Sequence, residues 1–180
     1  MMIRLLEHAD TATAVLDRVA DWLLPTLARF GFAAVLLGYF WSSALTKFDN
    51  FFVPSAGAYA QIFPRAFEAA GYDTSTFGLV PYLIALFAGW AEVVLPLMIV
   101  FGLLTRLAAL GMIGFTVVQS LTDVIGHMAD AVTIGGWFDR ASDAVILDQR
   151  ALWMIVLAIL VFKGAGPLSL DQLARRWLRA

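Results

Sequence analysis

Cysteine is absent from this chain, and histidine occurs only twice, at His8 and His127. The first absence excludes thiol–disulfide chemistry, a thiolate metal site and an iron–sulfur cluster held by the chain itself. The second argues against a bis-histidine haem, since one histidine lies in the N-terminal segment and the other at the far side of a candidate span. Charge is also scarce: 14 % of residues are charged, the net charge is −2, and no contiguous basic stripe exists, which argues against a nucleic-acid partner. There is no glycine-rich dinucleotide loop, nucleophile elbow or P-loop. Any redox role therefore falls to a bound cofactor or a partner.

What is present is apolar surface. At 61 % hydrophobic residues and a mean hydropathy of +0.82, the chain is an integral membrane protein whose solvent is mostly lipid. Its 180 residues suffice for one bundle. A spanning helix needs roughly 20 apolar residues, and four segments qualify or nearly so: 27–45, 81–104, 107–124 and 151–163. The expected fold is all-α, a polytopic four-transmembrane-helix bundle over residues 25–168, with amphipathic surface helices at residues 1–24 and 169–180. The fourth span is short, so it either thins the bilayer or draws Asp148 and Arg150 into the membrane edge. Residues 1–21 lack the apolar core and cleavage site of a signal peptide, so the mature chain is expected to begin at Met1.

The flanks carry helical patterns of their own. Val15, Val19 and Trp22 recur at helical spacing ahead of Pro25, opposed by Asp17, Arg18 and Asp21. Ser169 with Gln172 three residues later is a capping-box pattern, opening a helix that sets Leu173 and Trp177 against Arg175, Arg176 and Arg179. Both flanks should lie on membrane lipids, the second on anionic headgroups. Residues 55–70 carry Tyr59, Ile62, Phe63 and Phe67, with Pro64 interrupting and Gly71 as a C-terminal cap, and read as a lid over one face. Basic residues near the span ends divide eight (Arg4, Arg18, Arg29, Arg106, Lys163, Arg175, Arg176, Arg179) against four (Lys47, Arg65, Arg140, Arg150). That bias predicts both termini in the cytoplasm.

Glu92 is the one charged residue of the apolar run 81–101. A carboxylate at that depth costs about 2.5 kcal/mol or more, so it is read as functional, against the alternative of an acid that only ties two helices together. The turn at Thr105 and Arg106 puts Glu92 and Gln119 at similar depth in an antiparallel pair, each about twelve residues, or roughly 18 Å, away. Thr116 and Ser120 lie nearby on the same helix, and Ala85, Ala88 and Gly89 should allow close helix approach. Lys47, Asp123, His127, Asp148 and Arg150 would form a polar mouth at the other end. Asp123, His127 and Asp130 follow an i, i+4, i+7 pattern that a divalent metal could use, but Asp-rich loops are ordinarily solvated and no metal site is assigned. Arg29 and Arg106 have snorkelling toward headgroups as their ordinary explanation.

Several sequence features together are similar to the DoxX family. They are Leu45-Thr46-Lys47-Phe48 closing the first span, Glu92 in the second, then Gly102-Leu103-Leu104-Thr105-Arg106-Leu107-Ala108-Ala109. A last span leads into Gly164-Ala165-Gly166-Pro167-Leu168-Ser169-Leu170-Asp171. The resemblance covers roughly residues 29–171, and departs in the long N-terminal segment and the Asp-rich loop. It implies a small four-helix protein of the bacterial inner membrane, associated with respiratory or sulfur redox systems in which quinone takes part. It also carries over Arg29, Lys47, Glu92 and Arg106 as matching polar positions, with His127 a looser match.

Taken together, these features favour a membrane subunit that binds a quinone-like ligand in its bundle and works with a respiratory or redox protein partner. Glu92 would exchange a proton with the headgroup, Gln119 would orient it, and Lys47 or His127 would supply the outer hydrogen bond. Phe40, Trp41 and Trp90 could form aromatic walls, although packing or interfacial anchoring accounts for each singly. Two other readings stand beside this one: an adaptor that stabilises a larger complex, with a homo-oligomer possible, and a small proton-coupled carrier. The spans show no internal repeat or paired broken helices to favour the carrier.

Overall fold

A computed structural model describes residues 2–179, with side chains from Thr13 onward; Arg4 and His8 lie outside the described side chains. Four helical stretches are long and apolar enough to cross a membrane: Thr13–Leu45, Leu79–Phe101, Thr105–Gly126 and Val145–Lys163. Each packs against the next and the fourth against the first, giving an up-down-up-down ring.

The first stretch begins as α1 (Met2–Phe32), passes through a π-helical turn at Ala33–Leu37, and ends as α2 (Gly38–Leu45). The sequence suggested that a surface helix stops before Pro25, but α1 continues through it. Proline removes one helical hydrogen bond, and membrane helices tolerate this where a hydroxyl re-satisfies a freed carbonyl nearby. The carbonyl that Pro25 leaves without its helical donor is that of Asp21, and Thr26 Oγ1 donates to the next one along, the Trp22 carbonyl, at 2.7 Å. The π turn has a packing reason. Ala28, Phe32, Leu36, Phe40 and Ala44 are all buried at strict four-residue spacing. A straight α-helix would rotate about 40° off that line at each step, and the wider turn absorbs the excess.

The second stretch, α5 (Leu79–Phe101), buries Ala85, Gly89, Glu92, Pro96 and Ile99, an alternating four–three spacing that runs one seam along the bundle interior. Glu92 lies on that seam. The third is α6 (Thr105–Leu121) with a π-helical end at Thr122–Gly126, and the fourth is a π-helical turn at Val145–Gln149 leading into α8 (Arg150–Lys163). Those extra residues lengthen the fourth span beyond the thirteen expected, and they draw Arg150 in until it is 4 % exposed. The apolar core is built from Phe32, Phe40, Ile99, Met112, Leu157 and Leu160. Phe40 belongs to this core, packed on Phe32, Tyr39, Phe115 and Trp153, rather than to a ligand wall.

Between the first two spans, a short antiparallel hairpin of β1 (Phe48–Asn50) and β2 (Val53–Pro54) precedes α3 (Ala56–Ile62) and α4 (Pro64–Ala69). The break at Phe63 falls where Pro64 dictates, and Gly71 takes the left-handed conformation that closes α4. The Phe48 ring presses on Gly89 so closely that a Cβ there would lie 2.6 Å from it. Gly89 thus admits an aromatic ring to the α5 backbone rather than another helix. The third and fourth spans are joined through α7 (Ala131–Ile134), and the chain closes with α9 (Leu170–Trp177), whose N-cap Ser169 accepts from the Gln172 amide as its sequence pattern predicts.

Candidate functional site

Lys47 follows α2, and a helical side chain at this point leans back toward the preceding turn. Its ammonium accordingly reaches down to Ser43, donating to the Ser43 hydroxyl at 2.7 Å, to Gln61 Oε1 at 2.6 Å and to Glu92 Oε2 at 2.9 Å. Three acceptors match the three N–H bonds of an ammonium ion. Ser43 completes a ring by donating to Glu92 Oε1 at 3.3 Å. The Lys47 and Glu92 side chains are only 4 % and 2 % exposed, so this is a buried ion pair in which each partner offsets the other's desolvation. Pro96 lies four residues beyond Glu92 and has no N–H to offer the Glu92 carbonyl, which leaves the helix locally weaker beside the pair.

A cavity of about 330 Å³ opens against this pair between α5 and α6. Ala88, Ala91, Gly111 and Gly114 make the room, while Ile84, Leu95, Phe115 and Val118 supply apolar walls. Small residues on α5 were expected to bring helices together; Ala88 instead leaves space. Polar groups converge from four elements: Ser43 and Lys47, Gln61 of α3, Glu92, and then Gln119, Thr122, Asp123 and His127. Gln119 Nε2 donates to the Tyr39 hydroxyl at 2.8 Å, whereas Gln119 Oε1 is buried with no partner among the described residues. His127 Nε2 lies 3.1 Å from the Gln61 carbonyl, and Asp123 accepts from Arg150 Nη2 at 2.6 Å.

Four of the residues singled out from sequence, Glu92, Lys47, Gln119 and His127, thus share one cavity, although Glu92 and Gln119 are not bonded to each other. The other four lie elsewhere. Trp41 and Trp90 line a separate apolar cavity with Leu45, Phe48 and Phe51, on another face of α5. Trp90 Nε1 donates to the Phe51 carbonyl at 3.0 Å, which makes it a strut for the hairpin. Arg29 and Arg106 sit at the end of the bundle that carries the termini. There Arg29 donates to the carbonyls of Ile99, Val100, Ala165 and Leu168 at 2.5–3.0 Å, and Arg106 to that of Phe162 at 3.2 Å.

The metal pattern dissolves, because helix geometry ends at Gly126 and Asp130 turns away to cap α7. Hydrogen bonds from Thr133 hold the Asp130 carboxyl below its usual range. Ser43 and Gln61 escaped the sequence reading. Ser43 is one turn before Lys47, and Gln61 is the polar residue beside Tyr59, Ile62 and Phe63 in an otherwise apolar lid, and those positions were the available signals.

The family model for DoxX matches residues 24–127, more than half of the chain and all the residues of the Lys47–Glu92 ring. No curated protein and no solved structure matches the chain. The chain belongs to the DoxX family and is a multi-pass membrane protein.

Proposed function

We propose that this protein binds the headgroup of a quinone-like amphiphile in the cavity between α5 and α6, as the membrane subunit of a redox system in the bacterial inner membrane with both termini cytoplasmic. The observation that carries this reading is Gln119 Oε1, a buried acceptor without a donor, in a largely apolar cavity floored by a buried ion pair. Such an orphan normally costs about 1–3 kcal/mol, so its persistence beside a cavity calls for a partner from outside the chain. The volume lies in the range of small-molecule sites. Because the Tyr39 hydroxyl can either accept or donate, the Gln119 amide can turn over and offer an acceptor to a quinol hydroxyl or a donor to a quinone carbonyl.

Oxidation of a bound quinol releases two electrons and two protons. With no cysteine, the chain would leave the electrons to a bound cofactor or a partner protein. Its own residues would hold the headgroup at Gln119 and exclude water with Phe115, Leu95 and Val118. Glu92, released from Lys47 or Ser43, would take one proton, and the other would leave by way of His127, which stands where the cavity meets α3.

A different observation favours the adaptor reading: Lys47 and both Glu92 oxygens are fully partnered within the chain. Mass spectrometry of lipid extracts from detergent-purified protein separates the two. Ligand binding predicts quinone enriched with the wild type and lost from Gln119→Leu and Glu92→Gln at matched folding. Equal background in all three would overturn it in favour of the adaptor.

A further inference from the structure

The end of the bundle that carries the termini holds another polar cavity, of about 290 Å³, which neither the ion pair nor the quinone reading uses. Arg106, Lys163 and Arg175 line it together with Trp22 and Gln172. Two acids stand beside these cations, but both are committed. Asp21 accepts from Lys163 at 2.8 Å, and the Asp171 oxygens accept from the backbone N–H groups of Leu104 and Thr105 at 2.7 and 2.9 Å. Those N–H groups open α6, where a carboxylate is stabilised by unpaired helix donors and the helix dipole. Two of the three cations are less committed, Lys163 being the one paired with Asp21. Arg106 uses one donor on the Phe162 carbonyl, and Arg175 has no partner among the described residues.

Position narrows what this groove can take. The second span ends at Phe101, the third begins at Thr105 and the fourth ends at Lys163, so the groove lies where apolar helix surface gives way to the headgroup layer. The Asp171 amide also donates to the Gly102 carbonyl at 2.8 Å, pinning α9 across the span ends with Arg175 one turn along from that anchor. Trp22 and the exposed Leu173 and Trp177 supply the amphipathic and apolar contacts that suit an interface.

We propose that this groove binds the phosphate group of an anionic phospholipid, with Arg106, Lys163 and Arg175 as its donors. Two guanidinium groups and an ammonium match the acceptor oxygens of a phosphodiester. Free phosphate shares that chemistry but has no acyl chains for the apolar surface around the groove, so the lipid is the assigned source. The site fastens α9 to one leaflet and does not depend on what the α5–α6 cavity holds.

Native mass spectrometry of the full-length protein, equilibrated with equal amounts of phosphatidylglycerol and phosphatidylcholine, tests this. Phosphatidylglycerol adducts should exceed phosphatidylcholine adducts, and Arg175→Gln should cut that preference about fivefold, with Arg106→Gln added to it cutting roughly twentyfold. Arg179→Gln, of equal charge change outside the groove, should leave the preference nearly unchanged. No preference in the wild type, or an equal loss in Arg179→Gln, would overturn the site in favour of diffuse surface charge. Displacement of phosphatidylglycerol by millimolar inorganic phosphate alone would overturn the lipid assignment and leave a soluble phosphate as the occupant. Arg175 lies outside every span, so its result stands even if the double variant fails to fold.

Discussion

Arg29 lies within the first span and Lys47 just beyond its end at Leu45, and the two ends of the bundle use them in opposite ways. Arg29 gives its guanidinium to four backbone carbonyls, two at the end of α5 and two in the segment after α8. The two α5 carbonyls cannot leave without unwinding a helix end, so this contact is a staple. Lys47 gives its ammonium to three side chains, Ser43, Gln61 and Glu92, at the wall of a cavity. Side chains rotate, so these partners can be exchanged for a ligand without unfolding anything. A buried charge is thus structural or exchangeable according to what satisfies it.

The largest expected effect sharpens the staple side. Arg29→Gln should cost on the order of 4 kcal/mol or more, because helix-end carbonyls lose charge-assisted partners. Thermal unfolding in detergent would show this as a steep drop in folded protein, and a small shift would mean that lipid or water replaces the guanidinium easily. On the other side, Lys47→Met alone should cost about 3–5 kcal/mol by leaving Glu92 buried and unpaired. Adding Glu92→Gln should recover much of that loss, and strict additivity in the double-mutant cycle would show the pair to be uncoupled. The smallest effect belongs to the chain's other lysine. Lys163 and Asp21 are 44 % and 73 % exposed, so Asp21→Asn should leave the unfolding temperature unchanged within error. A clear drop there would remove the contrast between buried and exposed pairs.

The four spans, the helix break at Pro64 with its Gly71 cap, and the capped C-terminal helix were all legible in the sequence, because each is written in local patterns of apolar length, proline position and cap residues. The depth match between Glu92 and Gln119 also follows from counting residues along two antiparallel helices, and both residues line the same cavity. The Lys47–Glu92 pair was not legible. Counting residues puts Lys47 at the span's end, whereas its side chain folds back along its own helix toward Ser43 and Glu92. The first span also packs on α8 through α1 and on α5 mainly through α2, and that crossing brings Lys47 to the face of α5 that bears Glu92. Trp41 and Trp90 fall on a different face because Phe48, seated against Gly89, packs beside the Trp90 ring.

By itself, then, the sequence determined that this is a four-span membrane protein with a carboxylate at depth, since hydropathy and helix periodicity are properties of neighbouring residues. Only the tertiary structure decided which cation meets that carboxylate, which arginines close helix ends and which amide is left without a donor. Those outcomes depend on side-chain direction, helix crossing and the room left by small residues, and all three arise only when the four spans are packed together.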